Sequence, residues 1–292
     1  MTRSRHLLLL LILLFGFGSG IPRVEGETYV QDVRGKSVRC GSFSRIVSLA
    51  PNITEILFFT KAGPLLKGVT RFCNYPAEAN LIEQIGGIYD PDMEKIISLD
   101  PDLVIATKDG NPRQAVDFLE GAGIPGFVIN PRNMEEILAT MENIACLTGA
   151  PGDIFNRIDS LRAELKRGNG RRGEKKARVL FLVSQRPLIA AGKRTFIDEM
   201  IERAGGVNVA ARYDLSYPRL GVEDILSLSP DLIFWVPSMG EQSGEGQLDR
   251  LRSILKSDAI ELIPVDSDIY TRPGPRLFEG MVEMEKIINR PR

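Results

Sequence analysis

Histidine is almost missing from this chain: the one present, His6, lies in an N-terminal segment that reads as a removable leader. A mature chain without histidine cannot assemble a histidine-ligated zinc or manganese site, a Ser-His-Asp triad or a Cys-His pair. The sequence therefore offers no histidine-based catalytic or metal centre. Long hydrophobic runs are missing too. The apolar block at residues 7–17 is shorter than the roughly 20 residues that cross a bilayer, and no later stretch reaches that length. Arg3 and Arg5 precede the block and small residues follow it up to Gly26, the layout of a secretory signal over residues 1–26.

Cysteine is scarce: Cys40, Cys73 and Cys146 make an odd number. They allow at most one internal disulfide with one thiol left over, in an oxidising compartment. Cys73, without a histidine or metal partner, reads as a small buried residue. The cysteine nearest the leader, Cys40, lies too far downstream to carry a lipid at the cleavage point, so a free periplasmic protein is expected. Cleavage after Gly26 leaves 34 basic and 37 acidic residues, a balance that argues against nucleic acid as a partner. A length of 292 residues with 43% hydrophobic content is ample for two cores.

What the chain does have is a repeat. MEKIISLDPDLVI at 93–105 and VEDILSLSPDLIF at 222–234 agree at seven of thirteen positions, 129 residues apart. That spacing exceeds the 20–50 residues of solenoid periods and points instead to two similar lobes with a cleft between them. Strands at 45–50, 103–107 and 126–129 alternate with helices at 51–61, 90–100, 112–122 and 134–148, the pattern of a mainly parallel sheet covered on both faces. Asn52 and Glu55 have the spacing of a helix capping box. A helix at 153–166 and a polar loop at 168–176 read as a connector. Strands at 179–183, 232–236 and 262–265, with helices at 195–204, from 222 and at 275–289, repeat the order. The predicted fold class is thus α/β, two three-layer lobes over 27–150 and 177–292, joined by a connecting helix and loop over 151–176.

Ligands of open parallel sheets collect beyond the carboxyl ends of the strands. The loops there are rich in aromatics, arginines and amides. RIVSLAPNITE at 45–55, Asn74-Tyr75-Pro76, IEQI at 82–85, the two copied segments, Ser267-Asp268 and Pro275-Arg276 together resemble the periplasmic substrate-binding proteins of ABC importers for cobalamin and iron chelates. The likeness spans about residues 44–290 and is nearest the cobalamin-binding branch. It implies two α/β lobes, small hinge motion, no enzymatic activity or catalytic residues, no protein-held metal or resident cofactor, and a monomer that carries a corrinoid, with a ferric siderophore or haem as the alternative cargo.

By position in those motifs, the resemblance implies ligand contacts from Phe72, Asn74, Tyr89, Lys108, Arg186, Tyr217, Asp268 and Arg272. Ile88 and Thr107 stand where the cobalamin branch has tryptophans, with Tyr89 as a partial substitute. Arg71, Lys108, Arg186 and Arg272 would instead suit an anionic siderophore or haem carboxylate. The resemblance further implies that Glu94 and Glu223, matched in the two copies, dock on the inner-membrane permease, which works with its ATPase. Both should point away from an apolar stripe of residues 93, 96 and 97 or 222, 225 and 226. Asp102 and Asp231 read as turn formers rather than an acid–base pair. An enzyme in the same cleft would have to rely on carboxylates or Cys73 alone, and a signalling receptor would use the same acidic surface on a membrane sensor.

Overall fold

The structure, a computed structural model, describes residues 23–24, 27–41, 43–167, 176–237, 244–256 and 259–290. The predicted leader lies outside these residues except for Arg23 and Val24, as does nearly all of the polar loop predicted at 168–176. An antiparallel ribbon of β1 (Arg23–Val24), β2 (Glu27–Gln31) and β3 (Ser37–Arg39) opens the described chain. Next comes a parallel sheet of β4 (Ile46–Ser48), β5 (Leu66–Val69), β6 (Glu83–Gln84), β7 (Leu103–Thr107) and β8 (Gly126–Ile129), in the order β6-β5-β4-β7-β8. Helices α1 (Pro51–Phe59), α2 (Met93–Ser98) and α3 (Arg113–Gly121) join its strands, and α4 (Met134–Leu147) follows β8.

Helix α5 (Gly152–Arg167) leads to a second sheet of β9 (Arg178–Gln185), β10 (Leu188–Ala190), β11 (Val207–Asn208), β12 (Leu232–Trp235) and β13 (Glu261–Pro264). Its order is β10-β9-β12-β13, with β11 beside the start of β9; β10 runs antiparallel and the other pairings are parallel. Helices α6 (Phe196–Arg203), α7 (Val222–Leu228), α8 (Gly244–Leu255), α9 (Ser267–Tyr270) and α10 (Arg276–Ile288) complete this lobe. The central strands read as unbroken apolar runs because both faces of a parallel sheet are covered. The expected fold class of two α/β lobes is the observed one.

The cores explain how the lobes are joined. Val47, Leu49, Val104 and Ala106 pack on the outer face of the first sheet, and Leu180, Leu182, Ile233 and Trp235 on the outer face of the second. The alternate residues of both sheets enter one continuous cluster. It runs from Ile46, Leu103 and Ile105 through Met141, Ile154 and Ile158 to Phe181, Phe234 and Leu277. Ile154, Ile158 and Leu165 give α5 its helical spacing and bury its stripe in that shared layer. A close-packed seam of this kind resists wide opening.

The duplicated segment anchors strand starts. Asp102 accepts the backbone N–H groups of Ser44 and Arg45 at 2.7 and 2.9 Å, and Asp231 accepts that of Arg178 at 2.7 Å. Arg45 Nε in turn reaches the carbonyl of Asp100 at 2.7 Å, and Arg178 Nε that of Ser229 at 2.9 Å. Asp100 and Ser229 share a left-handed backbone, φ 48° and 44°. The two aspartates therefore fasten the copied helix to the first strand of each sheet, consistent with the turn-forming reading.

Two expected helix starts are corrected. The capping box is absent: Ala50 is the N-cap of α1 without a side-chain bond, and Pro51 opens the helix, where its missing N–H costs nothing. Asn52 and Glu55 are turned instead toward the second lobe. The helix expected from Asp90 begins at Met93, capped by the Asp92 carboxylate on the Lys95 N–H at 3.0 Å. Asp90 forms an ion pair with Arg71 at 2.9 Å instead.

Cys40 and Cys146 are disulfide-bonded across 106 residues, tying the ribbon to the last turn of α4. Cys73 is buried, with Thr54 and Thr70 hydroxyls 3.1 and 3.2 Å from its sulfur, and burial pushes its thiol pKa up. Closing so long a loop restricts the unfolded chain strongly. A Cys40→Ser/Cys146→Ser variant is expected to lose about 2–5 kcal/mol in urea unfolding. Its ligand affinity should stay unchanged, because neither cysteine lines the cleft described next.

Candidate ligand-binding cleft

The carboxyl ends of all five strands of the first sheet open on one side, and a cleft of about 410 Å³ lies there. Ala50, Pro51 and Asn52 follow β4, Phe72 follows β5, and Ile88 and Tyr89 follow β6; Thr107, Asp109 and Gly110 come at the end of β7, and Asn130 to Arg132 after β8. The second lobe contributes Arg194, Thr195 and Phe196 ahead of and within α6, Tyr217, and Thr271 to Pro273 after α9. This is the placement that parallel sheets impose, since helices return the chain and leave those ends free for recognition.

Buried polar anchors hold the loops. Asn111 accepts the Thr107 N–H at 2.8 Å and donates to the carbonyls of Leu49 and Ile88, both at 2.9 Å, so one amide fixes three loops. In the second lobe Gly192 donates to Ser216 O at 2.8 Å, and a Cβ at Gly192 would lie 2.3 Å from Leu215 O. Only glycine allows that approach, which sets the segment carrying Tyr217. Thr195 caps α6 by accepting the Asp198 N–H at 3.1 Å.

Three exposed aromatics face the opening: Phe72 at 43%, Tyr89 at 74% and Tyr217 at 48%. Burial pushes the Tyr217 phenol pKa up, Arg132 pulls it down and Asp109 raises it, so a second-lobe tyrosine feels charges of the first lobe. At neutral pH the phenol is a neutral donor and acceptor. Beneath them lies an ion network across the lobes. The Glu55 carboxylate, 1% exposed, takes Arg276 Nε and an Arg276 terminal nitrogen at 2.9 and 2.7 Å and an Arg272 terminal nitrogen at 2.9 Å. Arg272 also pairs with Asp268 at 2.6 Å and donates to Asn74 Oδ1 at 2.8 Å, while Asn74 Nδ2 donates to Asp268 at 2.7 Å. Asn52 Nδ2 reaches Pro273 O at 3.4 Å.

Of the residues expected at the site, Phe72, Tyr89, Tyr217 and Arg272 line the cleft, and so do Ile88 and Thr107. Asn74 and Asp268 stand behind Arg272 in the network. Lys108 and Arg186 do not line this cleft. Lys108 is exposed at the end of β7, where its N–H still pairs with Ile129 O at 2.9 Å, and Arg186 is in the turn between β9 and β10. Arg71 is held by Asp90 and stacks over Phe72 at 5.2 Å. Reasoning from sequence missed Arg132, Arg194 and Phe196. Arg132 comes three residues after a strand end, a signal that was available; Arg194 precedes a helix and carried none.

Glu94 and Glu223 are exposed in the first turns of α2 and α7. The stripe beside them is narrower than expected. Ile96 and Ile225 are buried, but Ile97 and Leu226 are 41% and 42% exposed. Each acidic residue thus has an uncovered aliphatic side chain three positions on, along the same face.

The molecule is thus a two-lobed α/β protein with an open interlobe cleft, lined by aromatics, at the strand ends of its first sheet. Residues 46–264 match the family of periplasmic binding proteins, and the chain belongs to that family. The vitamin B12-binding protein of Vibrio parahaemolyticus is 27% identical over 242 residues, covering 82% of this chain and 87% of that one. That of Yersinia pestis is 26% identical over 236 residues, covering 80% and 82%. Among solved structures, the periplasmic vitamin B12-binding protein BtuF of Vibrio cholerae superposes with TM-score 0.67 at 25% identity, covering 85% of this chain and 99% of that one. The apo haem-binding protein RhuT from Roseiflexus superposes with TM-score 0.71 at 26% identity, covering 83% and 96%. Among the described residues no helix is long and apolar enough to cross a membrane.

Proposed function

We propose that this protein is a soluble periplasmic receptor, exported by the 1–26 leader, that captures cobalamin or a related corrinoid in the interlobe cleft. It then delivers the corrinoid to an ABC permease. The three exposed aromatics around the opening carry this reading. Large rings left in water at a cleft mouth give a broad ligand apolar area with few torsions to freeze. The vitamin B12-binding relatives support the cargo. Metal enters only inside the ligand, and the protein acts by binding rather than turnover.

Haem is the second reading, favoured by Arg132 and Arg194 in the lining and by the likeness to a haem-binding protein. Titration calorimetry of the purified mature protein with cyanocobalamin, hemin and a panel of ferric siderophores tests both. We expect a one-to-one complex with cyanocobalamin and weaker or no binding of the others. Heat is the better signal because the single tryptophan, Trp235, is fully buried on the outer face of the second sheet. Absence of binding to every compound would sink the receptor reading.

Glu94 and Glu223 serve as the docking points on the permease, one per lobe. The aliphatic neighbours Ile97 and Leu226 add an apolar contact beside each charge. Exposed carboxylates at matched positions suit a two-fold partner offering a cation to each.

A further inference from the structure

We infer that Arg132 and Arg194 form a two-lobe clamp for acidic groups at the rim of the bound macrocycle, so that the receptor prefers corrins bearing a peripheral carboxylate over fully amidated ones. This rests on the corrinoid reading above. The cations lining the cleft divide into two kinds. Arg272, at the floor, is spent: Glu55 and Asp268 neutralise it at 2.9 and 2.6 Å, and Asn74 takes a further hydrogen bond. Little positive charge is left there for a ligand.

The rim arginines are held differently. Arg132 contacts Asp109 at 3.0 Å, and Asn130 bridges the two when its amide nitrogen faces Asp109 at 3.2 Å and its oxygen accepts from Arg132 at 3.1 and 3.3 Å. Arg194 contacts Asp214 at 3.2 Å and donates to the Asp214 carbonyl at 3.0 Å. Both ion pairs are largely open to water, and exposed pairs of this kind exchange partners at little cost. A ligand carboxylate, excluded from solvent by the closing cleft, offers each guanidinium a planar two-point partner.

Position makes the two a pair. Arg132 lies just ahead of the first turn of α4 and Arg194 just ahead of that of α6. These turns meet across the lobes, where the Met134 N–H donates to the Glu199 carboxylate at 2.7 Å. Arg194 moreover adopts a left-handed backbone, φ 66°, a conformation glycine holds without strain. Strained backbones of this kind cluster at ligand clamps and active sites, which fits a functional part for the Arg194 side chain.

The test compares cyanocobalamin with its separate monocarboxylate isomers, each with one peripheral amide hydrolysed, by calorimetry on the mature protein. Wild type should bind at least one isomer about tenfold more tightly than cyanocobalamin. Arg132→Gln should abolish that preference. Arg194→Gly should abolish it too, while its Tm stays level or rises, a pattern that a merely structural arginine would not give. Equal affinities for all corrins in wild type, or a preference that survives in both variants, would overturn the clamp and leave the receptor reading standing. Failure of wild type to bind any corrin would overturn the clamp together with the corrinoid reading on which it rests.

Discussion

Replacing Glu55 by alanine is expected to cost about 3–5 kcal/mol of folding stability. The carboxylate is 1% exposed and accepts from two arginines, with contacts of 2.7 to 2.9 Å. Without it two guanidiniums face one another with almost no water to shield them. Arg272 keeps Asp268, whereas Arg276 keeps the ring of Tyr75, 4.1 Å from its guanidinium, and the more distant attraction of Asp268 and Asp266. The damage is therefore mostly one uncompensated charge. Removing that charge as well, in Glu55→Leu/Arg276→Met, should restore most of the loss, because apolar replacements of buried ion pairs are often neutral. Urea unfolding of wild type, the single and the double variant gives the answer. A loss below about 1 kcal/mol in the single variant would show that the network contributes little. Glu55 comes from α1 of the first lobe and both arginines from the second, so the alanine variant should also loosen the lobes. Small-angle scattering without ligand should show a larger radius of gyration.

The same carboxylate shows where sequence reading stops. Asn52 and Glu55 have the right spacing for a capping box, and nothing local distinguishes that use from the real one. The partners that claim Glu55 are 217 and 221 residues away. Periodic apolar spacing was a safer guide. It located α5, where Ile154, Ile158 and Leu165 are buried on one face, while α3, α4 and α10, placed by the alternation of elements along the chain, also fall within a few residues of expectation. Strands β6, β10 and β11 are two or three residues long and leave no period to read. Phe72, Tyr89 and Tyr217 were legible at the site because a family motif or its neighbour points to them. Arg132 and Arg194 were hidden among 37 basic residues, since an arginine at a cleft rim and one on any other surface look alike until the lobes are placed together.

Reversing both docking charges, Glu94→Arg with Glu223→Arg, is expected to bring ligand uptake through the cognate permease to background while leaving solution affinity for cyanocobalamin within about twofold of wild type. Both residues are exposed, and neither contributes to the cleft lining, so folding and binding should be untouched. Close charge pairs at interfaces carry coupling energies of about 1.5–7 kcal/mol, and reversal replaces attraction by repulsion at two places at once. At the lower end, two such losses already weaken docking by more than about a hundredfold. Each single reversal should leave measurable transport, because the other lobe still engages. The repeat accounts for the doubling: α2 and α7 carry the same motif and present Glu94 and Glu223 at the same helical position, each with an uncovered aliphatic residue, Ile97 or Leu226, beside it. Exchanging those two for serine should weaken docking to permease in lipid nanodiscs by a smaller factor, again without changing ligand affinity. Full transport by the double glutamate variant would remove these helices from the interface, and a parallel loss of ligand affinity would show that the charges act on the lobes rather than on the partner.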